Sequence, residues 1–147
     1  MSDMDKQYIF FMEYKSNNES GGPINMDNMY EWRIHFDGPK NSDYEGGRYH
    51  VKVIFNKDNL DKVPKCIFEN EELLHPNISS VGEVKFGNDI QWDKNHTILD
   101  LINYLMLLLK YPNFDDGYDN KQIKEFYEVE PESYHKIVKE IVKKFHQ

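Results

Sequence analysis

The chain has 147 residues, a net charge of −8 at pH 7 and a pI of about 5.2. This length suits one compact domain, and an aromatic content of 14% supplies enough core material to exclude wholesale disorder. The surplus of negative charge argues against a nucleic-acid binder, because contacts with the phosphate backbone need an excess of Lys and Arg. We therefore expect residues 1–147 to form a single domain that binds no nucleic acid.

The N-terminal half predicts one helix followed by antiparallel strands. Residues 3–14 have the spacing of an amphipathic helix, and the sequence KSNNESGGP after them is typical of a loop. The segments MYEWRIHF (29–36) and RYHVKVIF (48–55) alternate apolar and polar residues, which predicts two half-buried strands. Their short connection favours antiparallel pairing, and KCIFE (65–69) predicts a further strand that begins after Pro64.

The C-terminal half changes to helical periodicity. Thr97 begins an almost wholly apolar segment, TILDLINYLMLLLKY, which predicts a core helix across one face of the sheet. The segment is shorter than a membrane span and contains Asp100 and Asn103, so we expect no membrane insertion. NKQIKEFYEV predicts a shorter helix, and Pro131 begins the last one. We expect its apolar stripe to consist of Tyr134, Ile137, Val138, Ile141, Val142 and Phe145.

Cysteine usage and the N-terminus limit the compartment and the chemistry. The single cysteine, Cys66, cannot form an internal disulfide, and its place among apolar strand residues predicts a small core side chain. No cluster of Cys and His has the spacing of metal ligands, so we expect neither a metal nor a cofactor. The acidic N-terminus lacks the character of a signal peptide, which favours the cytoplasm, with the nucleus as the alternative.

Short motifs along the chain carry a family resemblance. Gly38-Pro39, Tyr44-Glu45-Gly46-Gly47, Val63-Pro64-Lys65, His75-Pro76-Asn77-Ile78, Trp92 and Pro112-Asn113 occur in this order. Each motif alone is weak, but the ordered set resembles the ubiquitin-conjugating enzymes from about Pro23 to the C-terminal helix. The resemblance implies an α+β fold with an N-terminal helix, a four-stranded antiparallel meander sheet, a central helix and two C-terminal helices. The α+β class agrees with the one that periodicity predicts.

The resemblance places the family's catalytic position at a residue that is unsuited to the reaction. Family members carry a nucleophilic cysteine ten residues after the His of the HPN motif, where this chain has Lys85. A thiol forms a thioester and later leaves it, whereas a lysine amine is mostly protonated at neutral pH and would form a stable amide. We therefore expect an inactive pseudo-enzyme.

Other positions depart from the family pattern as well. Phe86-Gly87 stand where Leu-Asp usually follows the nucleophile. In the loops that face ligases, Leu60-Asp61 replace Pro-Phe, and Asp93-Lys94-Asn95 replace Ser-Pro-Ala. The first helix, DMDKQYIFFMEY, is acidic where the family offers basic residues to the activating enzyme. A laboratory replacement of cysteine by lysine would have left these positions in family form, so the sequence favours a natural non-catalyst.

Three matching positions remain in the degenerate site. Asn77 matches the residue that steadies the oxyanion in active members, although an Asn there also binds the turn's backbone, which is the role we favour. His75 caps the same turn and has no second ligand at metal spacing. Asp116 matches an acidic residue near the acceptor lysine, but beside Asp115 it is typical of a solvated loop charge.

The outward face of the sheet is the candidate protein-binding surface. Alternation places five residues there as a basic stripe: Arg33, His35, Arg48, His50 and Lys52. A solvated sheet face is the default interpretation. The resemblance adds that family members bind a second ubiquitin on this face without a covalent bond, so the expected partners are ubiquitin or a ubiquitin-like protein and an active conjugating enzyme.

Three functions stay open from the sequence. The favoured one is a ubiquitin-conjugating enzyme variant that acts as a non-catalytic binding cofactor in conjugation, although variants of this kind often lack the last two helices. The second is an adaptor that uses the fold for protein contacts outside ubiquitin transfer, for example in membrane trafficking. The third is an engineered Cys-to-Lys trap of a divergent active enzyme.

Overall fold

The computed structural model describes residues 1–87, 90–114 and 121–146. Within them the elements are α1 (Asp3–Tyr14), β1 (Ser20–Asn25), β2 (Asn28–Asp37), β3 (Arg48–Ile54), β4 (Lys65–Phe68), α2 (Ile98–Lys110), α3 (Lys121–Val129) and α4 (Pro131–Val142). The strands form one antiparallel sheet in the order β1-β2-β3-β4. This arrangement confirms the predicted α+β fold, with a helix before the meander sheet and three helices after it.

Strand β1 lies in a segment whose composition predicts a loop. It pairs with β2 from Ser20, opposite His35, to Asn25, opposite Asn28. Gly21 has a φ of +140°, and a Cβ added there would stand 2.3 Å from the carbonyl oxygen of Arg33. The Gly-Gly-Pro sequence therefore serves the close approach of two strands rather than a turn, which corrects the prediction of a loop at these residues.

The alternation predicted for β2 and β3 is confirmed. The two strands pair in register, with Trp32 opposite Val53 and Ile34 opposite Val51. Their inward residues are buried, namely Trp32, Ile34 and Phe36 from β2 and Tyr49, Val51 and Val53 from β3. Apolar side chains thus cover one face of the sheet, and polar side chains occupy the other face.

Helix α2 begins where the sequence predicts. The Thr97 hydroxyl oxygen accepts a hydrogen bond of 3.2 Å from the Asp100 amide, and the Asp100 carboxylate accepts one of 2.8 Å from the Thr97 amide. Six buried residues of α2 join the inward face of the sheet in one core: Ile98, Leu101, Ile102, Leu105, Leu108 and Leu109. Among the described residues, no helix is long and apolar enough to cross a membrane.

Helix α4 buries a narrower stripe than predicted. Tyr134, Val138 and Val142, spaced by four residues, are buried, and so is Phe145 beyond the helix. Ile137 is 44% exposed, and Ile141 is only partly buried, because both lie to one side of the four-residue line that faces the core. The predicted stripe is therefore wrong at Ile137, which leaves an apolar side chain on the surface.

Candidate functional site

The HPN turn is built around a buried, neutral histidine. The side chain of His75 has no exposed surface, and its Nδ1 accepts a hydrogen bond of 3.0 Å from the Asn77 amide. On the other side, its Nε2 lies 2.8 Å from the Leu108 carbonyl oxygen of α2, which requires the proton on Nε2. Burial lowers the pKa of His75 to about 4, although the backbone carbonyls act in the opposite direction. His75 therefore joins the turn to α2 as an uncharged structural residue.

Asn77 ties the turn to the segment that follows α2. Its side-chain Nδ2 donates a hydrogen bond of 2.7 Å to the Asn113 carbonyl oxygen. In return, the Asn113 amide donates a hydrogen bond of 2.9 Å to the Asn77 Oδ1. Asn77 is fully buried, so this two-way contact satisfies polar groups that water cannot reach. The geometry supports the structural role that we favour for Asn77.

Lys85 lies beside this turn, with its side chain in solvent. Its backbone amide donates a hydrogen bond of 2.8 Å to the Asn77 carbonyl oxygen, and the preceding residue, Val84, forms a bridge with Ile78. The structure thus brings Lys85 and Asn77 together, as the family pattern implies, and places an exposed amine at the nucleophile position. The third residue of the degenerate site, Asp116, lies outside the described residues.

The only thiol of the chain is buried in the sheet, as predicted. Cys66 lies in β4 opposite Val53, has no exposed surface, and directs its sulfur toward the Pro64 carbonyl oxygen at 3.7 Å. Burial raises the pKa of the Cys66 thiol, because an apolar environment disfavours the thiolate. Within the described residues, no group of three or more His, Cys, Asp or Glu side chains could hold a metal ion.

A sequence model described as "Ubiquitin-conjugating enzyme" matches residues 4–142. The chain belongs to the ubiquitin-conjugating enzyme family. The match runs from the first turn of α1 to the end of α4 and includes the four strands given above, so the order of elements agrees with the family's fold. Membership supports a role related to ubiquitin conjugation and interactions with ubiquitin or other proteins of its pathway.

The loops that face ligases in the family bind each other here. Asp61, at the position of the family's Phe, accepts a hydrogen bond of 3.0 Å from the Lys94 amide. Gln7 of α1 donates one of 2.7 Å to the His96 carbonyl oxygen and accepts one of 3.2 Å from the Ile98 amide. The exposed carboxylate of Asp61 therefore replaces the family's aromatic side chain on this surface. It also links the loop that contains Asp61 to the loop that contains Lys94.

The outward sheet face is not the bare basic stripe that the sequence predicts. All five predicted residues share this face, but the Arg33 guanidinium makes two contacts with Glu69, at 2.6 and 3.0 Å. Arg48 lies 3.0 Å from Asp37, and Lys52 lies 3.8 Å from Glu31. The carboxylates of Glu31 and Asp37 alternate onto the same face of β2, so the charge of the stripe is largely compensated.

Between these ion pairs lies a contact that sequence reasoning missed. His35 of β2 and His50 of β3 are direct partners across the strands, and their Nδ1 atoms are 2.7 Å apart. Burial, followed by His50, Arg48 and Arg33, lowers the pKa of His35, while Glu69 raises it. The register of the two strands decides this contact, because it places His35 directly opposite His50 on the same face of the sheet.

An apolar groove beside Lys85 was also missed. Phe86 contacts Tyr104 of α2, with ring centroids 5.4 Å apart, and Leu107 on the same side of α2 is 58% exposed. The groove has a volume of about 550 Å³ and is lined by Tyr104, Leu107, Leu108, Tyr111, Pro112, Asn113 and Phe114. The spacing of Tyr104, Leu107 and Tyr111 is that of a second helical face, which a continuous apolar segment conceals.

Proposed function

We propose that this protein is a non-catalytic ubiquitin-conjugating enzyme variant. It binds ubiquitin or a ubiquitin-like protein together with an active conjugating enzyme and serves as a binding cofactor in conjugation. The observation that carries the proposal is that an amine stands where the family has its nucleophilic thiol. The nucleophile position holds the exposed Lys85, and the only thiol of the chain, Cys66, is buried in β4.

The chemical reason is the difference between a thioester and an amide. A thiolate attacks an activated carbonyl carbon and later leaves it, so the acyl group passes onward. Cys66 has no exposed surface through which a second protein could reach it, and burial keeps its thiol protonated. An amide formed on Lys85 would end the transfer. The expected activity is therefore binding without acyl transfer.

Two surfaces support binding. The groove beside Lys85 exposes the apolar side chains of Leu107 and Tyr111, and exposed apolar surface of this kind is typical of protein contacts. On the sheet face, Arg33 and Lys52 are partly exposed, and their ion pairs are of the surface type that contributes little stability. These cations can therefore exchange their own carboxylates for those of a partner at small cost.

The first experiment tests catalysis. The protein is incubated with activating enzyme, ATP and ubiquitin, and an active conjugating enzyme serves as the positive control. We expect no adduct that a reducing agent removes. A reducible adduct that disappears in Cys66→Ala would refute the proposal, because it would show that the buried thiol becomes accessible and reactive.

The second experiment tests binding. Titration of isotope-labelled ubiquitin should show chemical-shift changes with a dissociation constant of about 10⁻⁴ M, the strength of a small transient interface. Arg33→Glu and Lys52→Glu should weaken the contact. Lys143→Glu is the matched control, since Lys143 is an exposed, ion-paired lysine that follows the last residue of α4 and belongs to no strand of the sheet.

An adaptor outside ubiquitin transfer is the second candidate. The contact between Asp61 and the Lys94 amide favours the adaptor, because the two loops that face ligases in the family here bind each other. The adaptor predicts that ubiquitin titration produces no shift changes, even at millimolar concentration. Shift changes that Arg33→Glu abolishes and Lys143→Glu leaves intact would exclude it as the main function.

A further inference from the structure

The outward side of α1 exposes apolar side chains that the core does not use. On the inward side, Met4 and Phe11 are buried, and the ring centroids of Phe11 and Trp32 are 5.8 Å apart. On the outward side, Ile9 is 49% exposed and Phe10 is 40% exposed. Single apolar residues are normal on a protein surface, whereas neighbouring ones on one exposed helix face are typical of a protein contact.

Two opposite charges complete this side of the helix. Lys6, Ile9, Phe10 and Glu13 are separated by three, four and seven residues, so they share one side of α1, and we name these four residues the α1 face. Lys6 and Glu13 are exposed and stand at its two ends, about 10 Å apart along the helix axis. Neither forms an ion pair with another residue that the structure describes. The α1 face therefore has an apolar centre between a cation and an anion.

The order of these four residues makes the α1 face complementary to itself. Lys6 and Glu13 are equally far along the chain from the midpoint between Ile9 and Phe10. When two copies of the helix pack antiparallel about a two-fold axis at this midpoint, each Lys6 comes level with Glu13 of the other copy. A parallel pair would bring Lys6 against Lys6 and Glu13 against Glu13. The charges therefore favour the antiparallel arrangement.

The remaining charges of α1 do not oppose this arrangement. The same two-fold axis brings Asp3 and Asp5 level with uncharged residues of the second copy, namely Ser16 and Tyr14. With three acidic residues and one lysine, the helix is poorly suited to an anionic lipid surface. A second copy of the chain supplies both a carboxylate for Lys6 and a cation for Glu13, so it fits the face better than a lipid does.

We propose that the α1 face binds the α1 face of a second copy in an antiparallel, two-fold pair. Ile9 and Phe10 of both copies form the centre, and two ion pairs between Lys6 and Glu13 flank it. One 12-residue helix from each copy buries less than the roughly 1,200 Å² of a stable complex, so the dimer is transient, with a dissociation constant of about 10⁻⁴ M. This self-association goes beyond the proposed function, because it concerns the protein alone.

Dilution of the labelled protein tests the dimer. Amide spectra are recorded from about 1 mM to about 20 μM, a range that brackets the expected dissociation constant, and sedimentation equilibrium gives its value. We expect the concentration-dependent shifts to centre on α1. Ile9→Ser should raise the dissociation constant at least about fivefold, because it removes apolar contact at the centre. Ile137→Ser, at a similarly exposed isoleucine of α4, is the matched control and should leave it unchanged.

Exchange of the two charges tests the antiparallel arrangement. Lys6→Glu alone and Glu13→Lys alone each place like charges opposite one another twice, so each should raise the dissociation constant at least about fivefold. An equimolar mixture of these two variants restores opposite charges at both ends, and the double variant Lys6→Glu/Glu13→Lys does so within one chain. Both should associate about as tightly as the parent. Lys136→Glu, at an exposed lysine of α4, is the control for net charge.

Restored association in the mixture would support the proposal and could not arise from a misfolded variant. Amide spectra of each variant at about 20 μM, well below the expected dissociation constant, verify the fold. The proposal fails if the parent shows no concentration-dependent shifts on α1 at 1 mM, because a different partner would then cover the face. Shifts confined to α4 or to the sheet, or single variants that the mixture does not rescue, would also overturn it.

Discussion

The HPN turn and the loops around Asp61 and Lys94 both stand at functional positions of the family, but they differ in burial. His75 and Asn77 have no exposed surface, and each satisfies its polar atoms within the fold. Asp61 and Lys94 are exposed. The turn matches the family pattern, and the loops depart from it. The comparison teaches that a motif can match the family without the family's chemistry. The fold needs the buried residues His75 and Asn77 for its own stability, whether or not the site is catalytic.

The exposed positions therefore carry more of the functional information. The side chain of Lys85 is exposed, and its backbone amide binds the turn, so a change of side chain there should cost the core little. The same holds for Asp61, whose carboxylate reaches a neighbouring loop. If the comparison is correct, changes in the turn should act on stability, and changes at the exposed positions should act on interactions.

The largest expected effect comes from His75 and depends on pH. Its pKa in the folded protein is about 4, below the ordinary value of about 6.5, so the unfolded chain binds the proton more tightly. Its contribution is complete above about pH 6.5 and is lost as the pH falls toward 4, by about 3 kcal/mol in total. Urea unfolding between pH 7.5 and pH 4 should show this loss in the parent.

His75→Gln is the variant that isolates this effect. It should be less stable than the parent at pH 7.5, because Gln cannot reproduce both ring contacts, but its stability should fall less steeply with acidification. His146→Gln is the control, since His146 is exposed near the C-terminus. A variant His75→Gln with the same pH dependence as the parent would show that His75 does not carry the linkage.

The second effect concerns Asn77. Asn77→Ala removes both hydrogen bonds to the Asn113 backbone and leaves those polar groups poorly satisfied, at a cost of about 2 kcal/mol in the free energy of unfolding. Asn103→Ala, at an exposed position of α2, should change it by less than about 0.5 kcal/mol. Equal stability of the two variants would remove the structural role of Asn77 and break the comparison.

Periodicity predicted the elements whose burial decides their pattern. The strands β2 and β3 alternate because one face is buried, and α2 begins after Thr97 because the Thr97 side chain caps the helix. Periodicity did not predict strand β1. Its Gly-Gly-Pro sequence has the composition of a turn and forms a strand only through contact with β2. Local sequence cannot supply that contact.

The site was predicted less completely for a similar reason. Residue types placed five basic side chains on the sheet face but gave no account of Glu31, Asp37 and Glu69, which pair with three of them. The contact between His35 and His50 depends on strand register, and the groove of α2 depends on which side of an apolar helix meets the core. Each missed feature lies between elements rather than within one.

The smallest effect on stability and the sharpest test of function come from Lys85→Cys. Because the Lys85 side chain is exposed, the substitution should change the free energy of unfolding by less than about 0.5 kcal/mol. We expect it to leave ubiquitin transfer far below that of an active conjugating enzyme, since Gly87 and Asp61 still depart from the family pattern.

Adding Asp61→Phe should improve ligase-dependent transfer more than Asp58→Phe, a control at an exposed acidic residue of the same loop. Full activity of Lys85→Cys alone would mean that the other departures are functionally silent, and the protein would then be an active enzyme trapped by one substitution.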